Sequence, residues 1–392
     1  MEQQDPVYKQ LVREIESYIQ RHQLKPGDRL PSTKTLCEMF GVSHITVNAA
    51  FKHLQHLGVV EGRRRSGVFV ADRAHKSTFG ARQQQTLGLL IPYGNHPFEA
   101  DIIRGVMETA RSADFQVIVS NNNNDAAMER EQLRSLAAST AGLLVMPILH
   151  SPNYAAFAEL VDRGIPLIFI DRYVAGIKTP VVATNNEAGG YQITRHLLEN
   201  NFHRIYVLMT GGATSTLERI DGYRRALREF GKTFDARLVR TASRQMDAML
   251  YDLTRQLVQG ELTQQDKSRL AGYCLMSEIL SERPQTPFAV FSVTDDMANS
   301  AYLSLQEKGI NVPADVALAG YDDTQYYLIG GPTLTTIRQQ PHSMGAEAVK
   351  VLIQQLHRQT KSTSGKRLSP ELIVRGSTTA PTRLKKTELV NN

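Results

Sequence analysis

From residue 87 onward the chain repeats one pattern. A short, almost wholly apolar run is followed by a stretch with apolar residues every three or four positions. The apolar runs fall at 87–92, 115–119, 142–146, 167–170, 205–209, 289–293 and 316–319. The helical stretches fall at about 99–112, 127–139, 153–163, 187–200, 218–230, 245–259 and 296–308. Runs this short suit strands buried on both faces, and strand–helix alternation requires parallel strands with helices covering both sides. The stretch is too long for one such sheet. It therefore predicts two lobes with a cleft, and in such folds ligands sit at the carboxyl ends of strands.

Residues 1–70 follow a different pattern. Val7, Leu11, Ile15, Tyr18 and Ile19 share a helical face that stops before Pro26-Gly27. Ser32 caps a short second helix, 34–40, closed by Gly41. Ser43 caps a third, which carries Val47, Ala50, Phe51, Leu54 and Leu57 inward and ends at Gly58. Two short strands follow, Val59-Val60 and 68–70, joined by a charged turn from Glu61 to Gly67. Three helices and a hairpin make a winged helix-turn-helix. Residues 71–86 lack apolar periodicity and form a linker, which leaves 87–385 for the two-lobed domain.

Charge supports the division. Residues 21–76 hold ten Lys/Arg against four acids, an excess equal to the +6 of the whole 392-residue chain. A local basic excess suits a polyanion. Cys37 and Cys274 are far apart and predict two buried thiols in a reducing cytoplasm. The N-terminus lacks a signal-peptide pattern, and no apolar run is long enough to span a membrane.

Residues 25–70 resemble the DNA-binding head of the GntR family. The matching positions are Leu24, Pro26, Gly27, Leu30, Pro31, Ser32, Leu36, Gly41, Val42, Ser43, Thr46, Val47, Leu54, Gly58, Val60, Gly67, Phe69 and Val70. The resemblance implies that the third helix enters a major groove of double-stranded operator DNA, with Ser43, His44, Thr46 and Asn48 at base edges or phosphates. Arg63, Arg64 and Arg65 would reach from the hairpin, and Arg29 and Lys34 would contact phosphates. His44 has the alternative of a bystander, and the three arginines that of a solvated turn. The family's usual Glu-Arg is Thr33-Lys34 here, its Arg after the serine is His44, Asn48 stands where Arg is frequent, and Arg65 replaces a wing glycine. No operator sequence transfers across such changes.

Residues 87–380 resemble the ligand-binding domain of the LacI/GalR family, which shares the periplasmic-binding-protein fold. The resemblance rests on GLLIP (88–92), GIPLIFIDR (164–172), NNEAGG (185–190), RIDGYRRAL (219–227), TDDMA (294–298), GINVPADVALAGYDD (309–323) and PTLTTIRQQP (332–341). Joined to a GntR-type head, it resembles the arabinose-operon repressors. It implies an α/β fold of two parallel-sheet lobes and a small sugar effector, bound by carboxylates and guanidinium groups with an aromatic face. Carried over, the ligand set is Phe98, Asp171, Arg172, Arg219, Thr294, Asp322 and Gln339, with His96 and Glu99 beside Phe98. Thr294 replaces the usual Asn and offers one hydrogen-bonding group instead of two. Asp322 has the alternative of bracing the hinge, Asp171 of orienting Arg172, Phe98 of belonging to the core, Glu99 of facing solvent, and Arg219 of lying on the surface. Residues 255–285 are longer than the family needs there and read as an inserted helical excursion.

Gly-x-x-x-x-Gly-Lys, Gly-x-Ser-x-Gly and His-Glu-x-x-His patterns are absent, and the histidines have no metal spacing. An enzyme, such as an aminotransferase fused to a GntR-type head, is not expected, nor is a metal or cofactor. The expected protein is a cytoplasmic homodimer on a pseudo-palindromic operator, released when a sugar closes the cleft. Its alternative is an activator, or a co-repressor-dependent regulator sensing a metabolite such as a nucleoside.

Overall fold

A computed structural model describes residues 7–22, 24–56, 59–63, 67–71, 85–148, 151–242, 264–324, 328, 330–358 and 365–379. The chain divides into two compact units, 1–85 and 86–392.

The first unit contains α1 (Val7–Arg21), α2 (Thr33–Phe40), α3 (His44–His56), β1 (Val60–Arg63) and β2 (Gly67–Val70). Ser32 accepts the Thr35 amide at the start of α2, and Ser43 accepts that of Thr46 at the start of α3. Gly41 closes α2 in the left-handed conformation (φ 64°) that a side chain would strain. Ile15, Leu36, Val47, Ala50 and Leu54 are fully buried between the helices and the hairpin. β1 pairs antiparallel with β2 as far as Arg63 opposite Gly67. Residues 61–63 therefore belong to the strand, not to the expected turn, because ladder pairing extends past the apolar pair that marks its start.

In the second unit, β3 (Thr86–Ile91), β4 (Gln116–Asn121), β5 (Gly142–Val145), β6 (Leu167–Ile170), β7 (Val181–Thr184) and β13 (Lys366–Leu368) form a parallel sheet in the order β13-β7-β6-β5-β3-β4. With α4 (Pro97–Ser112), α5 (Ala126–Ser139), α6 (Tyr154–Asp162) and α11 (Pro341–Arg358) this is lobe 1. Lobe 2 has the parallel sheet β11-β10-β8-β9, made of β8 (Ile205–Thr210), β9 (Val239–Ala242), β10 (Phe288–Ser292) and β11 (Val316–Ala319). Its helices are α7 (Asn186–Glu199), α8 (Thr214–Glu229), α9 (Gln264–Ser281) and α10 (Asp295–Glu307). A small antiparallel pair, β12 (Thr336–Arg338) with β14 (Glu371–Ile373), completes it. The chain crosses between lobes three times, after β7, after β12 and after β13.

Each lobe has its own apolar core. Leu87, Leu89, Ile102, Ile168 and Leu352 pack on one face of the lobe 1 sheet, and Leu90, Leu143, Phe157 and Phe169 on the other. Val207, Phe288, Phe291 and Leu318 lie in the core of lobe 2.

Several expectations need correction. Thr86 opens β3 rather than closing a linker, of which residues 72–84 lie outside the described residues. The helix expected at 245–259 also lies outside them. Of the excursion expected at 255–285, residues 255–263 lie outside the described residues, and residues 264–281 belong to the body of lobe 2. They form α9, the crossover from β9 to β10, with Ala271, Leu275, Met276 and Ile279 fully buried. Strands β7, β9 and β12–β14 and helix α11 lie outside the expected pattern; β12, β13 and β14 have three residues each, too few to carry a period. Cys37 and Cys274 are free thiols, half-buried rather than buried.

Candidate ligand cleft and DNA-binding face

All nine expected ligand residues line one cavity of about 200 Å³ in the second unit. The sequence distributes them among lobe 1, lobe 2 and the crossings, and the topology brings them together.

Arg219 is the buried centre. It sits on the second turn of α8, not at the helix start, because α8 begins five residues earlier, at Thr214. Its Nε donates to Asn186 Oδ1 at 2.9 Å and its Nη1 to the Val293 carbonyl. The guanidinium lies 3.6 Å above the Tyr321 ring. Close packing of α7 against α8 sets this position. A Cβ on Gly190 would stand 2.0 Å from the Arg219 carbonyl oxygen, and one on Gly222 2.0 Å from that of Glu187, so any larger residue would push the helices apart. The surface alternative for Arg219 is excluded: its side chain is 5% exposed.

Asp322 faces Arg219, with Oδ1 3.8 Å from Nη1. It follows β11 with φ at 120°, unusual for any residue but glycine. Its Oδ1 accepts from Gln339 Nε2 at 2.7 Å, and Gln339 Oε1 accepts from Thr184 Oγ1 at 2.6 Å. This chain ties the first crossing to the second, so Asp322 braces the hinge as well as lining the cavity. Burial pushes its carboxyl up to about 6, against the pull of Arg219.

From lobe 1, Asp171 leaves β6 in the left-handed region (φ 65°), 3.8 Å from Arg172 Nε, which donates to the Pro147 carbonyl at 2.9 Å. Asp171 therefore both orients Arg172 and lines the cavity. Phe98 likewise serves twice, packing in the lobe 1 core while lining the cavity. Glu99 does not face solvent. It is buried and accepts the amides of Tyr93 and Gly94, so one of its oxygens holds the loop after β3. His96 Nδ1 caps α4 by accepting the Phe98 amide, and Nε2 meets Asp296 Oδ2 at 3.3 Å. From lobe 2, Thr294 Oγ1 accepts the Met297 amide and caps α10.

Asp296, Tyr93, Asn95, Ser215 and Thr216 also line the cavity and were missed. The paired acids of TDDMA were the available signal. Asp295 turns inward to Thr336 Oγ1 (2.7 Å) and the Thr324 amide (2.9 Å), and Asp296 turns to the cleft. No group of three or more His, Cys, Asp or Glu able to hold a metal occurs among the described residues.

In the first unit, His44, Ile45 and Asn48 are exposed at the start of α3, opposite the buried Val47, Ala50 and Leu54. Ser43 and Thr46 hydroxyls lie 2.9 Å apart, and Ser43 holds the helix start. Lys34 is exposed on the first turn of α2. The Arg29 guanidinium lies over Gly67, where a Cβ would stand 3.1 Å from its Nε. Arg64 and Arg65 lie outside the described residues, as does the side chain of Arg63. Ile45, 82% exposed, is a residue the motif alone did not single out.

A capped helix-turn-helix with an exposed polar first turn, together with a two-lobed ligand cleft, defines a ligand-sensing transcription regulator. Residues 7–70 match the family described as bacterial regulatory proteins, gntR family. Residues 84–263 match periplasmic binding proteins and the sugar binding domain of the LacI family, and residues 194–378 match a periplasmic binding protein-like domain. The chain is thus a regulator built from a GntR-family head and a LacI-type periplasmic-binding-protein-like domain. It is 26% identical over 379 residues to the arabinose metabolism transcriptional repressor of Geobacillus stearothermophilus, covering 95% of this chain and 98% of that protein. Its counterpart in Halalkalibacterium halodurans is 26% identical over 381 residues, covering 95% and 96%. Among solved structures, the transcriptional regulator CelR–cellobiose complex superposes with a TM-score of 0.62 at 24% identity, covering 89% of this chain and all of that one. These relatives are regulators rather than enzymes. No helix among the described residues is long and apolar enough to cross a membrane.

Proposed function

We propose that the protein represses a carbohydrate-utilisation operon and leaves its operator when a monosaccharide, a pentose such as arabinose, closes the cleft. The observation that carries this reading is the cavity itself. About 200 Å³ is smaller than the roughly 300–1,000 Å³ of sites for drug-sized ligands, and it is lined by both carboxylates and guanidinium groups. Carboxylates accept from sugar hydroxyls, guanidinium groups donate to them, and Phe98 offers an apolar face. Asp171, Arg172, Arg219, Thr294, Asp322 and Gln339 make the polar contacts. His96 and Glu99 act on the wall and the loop. The names of the two arabinose repressors support the choice of pentose.

On DNA, residues 1–70 form the head and 71–85 the linker. His44, Ile45 and Asn48 face base edges, with Ser43 and Thr46 at the helix start, while Arg29, Lys34 and Arg63–Arg65 take phosphates or the minor groove. Ile45 suits the 5-methyl group of thymine, the apolar feature of the major groove. The protein acts in the cytoplasm as a homodimer. Met107, Ile118 and Val119 expose apolar surface on α4 and on the edge strand β4, which favours burial against a second copy.

A thermal-shift panel of pentoses and hexoses, run with operator gel shifts, tests the reading. One pentose should raise the melting temperature by several degrees at a hundredfold excess over its Kd and release the DNA. If every sugar left both unchanged, the sugar-effector reading would fall. Asn48→Ala should weaken operator binding without altering the sugar response.

A further inference from the structure

Among the described residues, the contacts that join the two lobes include three pairs. Two lie between β6 or β13 and α8: the Tyr173 amide donates to Thr214 Oγ1 at 3.0 Å, and Arg367 makes a two-pronged pair with Glu218 at 2.8 and 2.9 Å. The third joins His96, at the start of α4 in lobe 1, to Asp296, on the first turn of α10 in lobe 2. Of these pairs only the third has both members on the cavity wall.

The geometry fixes how His96 acts. Its Nδ1 accepts the Phe98 amide, so in the neutral ring the proton sits on Nε2, which donates to Asp296 Oδ2. Both ring nitrogens are thereby engaged by protein, and the ring is held by the helix it caps. Asp296 is buried, with a side chain 7% exposed. When the lobes separate, this carboxylate loses the His96 donor. When they meet, the donor comes from the opposite lobe.

We propose that His96 and Asp296 form a cross-cleft latch, in which His96 positions the Asp296 carboxylate on the cavity wall only in the closed arrangement. Closure and completion of the wall are then one event, and His96 is a positioning residue rather than the direct sugar contact the family pattern implies. The electrostatics agree. Burial disfavours the charged ring, but the Asp296 hydrogen bond and the Asp322 and Glu99 carboxylates outweigh it and raise its affinity for a proton. The latch rests on the regulator reading but not on which sugar binds.

The test measures interlobe distance in the full-length, ligand-free protein by double electron–electron resonance. Spin labels go on Glu131→Cys in α5 and Arg228→Cys in α8, both exposed, with Cys37 and Cys274 replaced by serine. Asp296→Ala and His96→Ala should each shift the population toward longer distances. The double variant should open no further than either single one, the signature of a shared interaction. His96→Gln, which keeps a donor, should stay near the wild type. His96→Ala also removes the α4 cap, so Asp296→Ala, which leaves that cap in place, carries the decision. Coincident distributions, or single effects that add, overturn the latch. In calorimetry with L-arabinose, Asp296→Ala should weaken binding by roughly tenfold or more, and unchanged affinity would break the link between latch and binding. If L-arabinose does not bind the wild type, the pentose reading fails and the ligand-free distances alone decide the latch.

Discussion

The α3 face and the cleft solve recognition in opposite ways. On α3, His44, Ile45 and Asn48 stand exposed above a small apolar core, and their chemistry is directed outward. In the cleft, Arg219, Asp171 and Gln339 are buried, and each is bonded or paired to another part of the chain. A change on the α3 face should alter binding and leave the fold intact. A change in the cleft should alter both, because the same groups recognise the ligand and hold the hinge.

Arg219→Ala should break that comparison open with the largest effect. It removes the donor to Asn186 and Val293, uncovers the Tyr321 ring and leaves Asp322 without its cation. Breaking a buried ion pair from one side costs about 3–5 kcal/mol. Chemical denaturation should show a loss of that size, and the sugar response should vanish. A loss below about 1 kcal/mol would mean that Arg219 is not integral to the hinge.

Asp322→Asn sharpens the same contrast through pH. Burial lifts the native carboxyl to about 6, above its ordinary value of 3.8. The folded state thus binds the proton more tightly than the unfolded chain. This group's stabilising contribution is full below pH 4 and is lost as pH rises through 6, a change of about 3 kcal/mol at most. The stability gap between the wild type and Asp322→Asn should move against the wild type over that window. Sugar affinity should move oppositely, since the ionised carboxylate is the better acceptor for a hydroxyl. Parallel pH profiles for the two proteins would show that Asp322 does not titrate there.

The same contrast explains what the sequence could reveal. The head was legible because its determinants are local: Ser32, Gly41, Ser43 and the 47–50–54 spacing lie within a few turns of one another. The strand–helix alternation disclosed both sheets, but not β13, which enters lobe 1 some 180 residues after its neighbour β7. Individual ligand residues were accessible through motifs at strand ends. Their couplings were not. That Gln339 would join Thr184 to Asp322, or that His96 would face Asp296 from the other lobe, depends on contacts spanning 155 and 200 residues. Residues 264–281 misled for a related reason: only the neighbouring β9, too short to read, reveals them as a crossover helix.

The smallest effect tests the outward-facing half. Ile45 is 82% exposed in the first turn of α3, and the core of that unit is complete without it. Ile45→Ala should therefore leave the unfolding free energy unchanged within about 0.5 kcal/mol. If its apolar tip covers a thymine methyl, replacing that thymine by uracil in a selected operator should cost about 0.8 kcal/mol, roughly fourfold in affinity. The Ile45→Ala protein should bind thymine and uracil duplexes equally. Equal binding of both duplexes at every position by the wild type would remove Ile45 from the readout, leaving His44 and Asn48 to carry base recognition by hydrogen bonds. Such a result would also narrow the difference between the two regions, since the head would then read its partner through polar groups alone, as the polar wall of the cleft does.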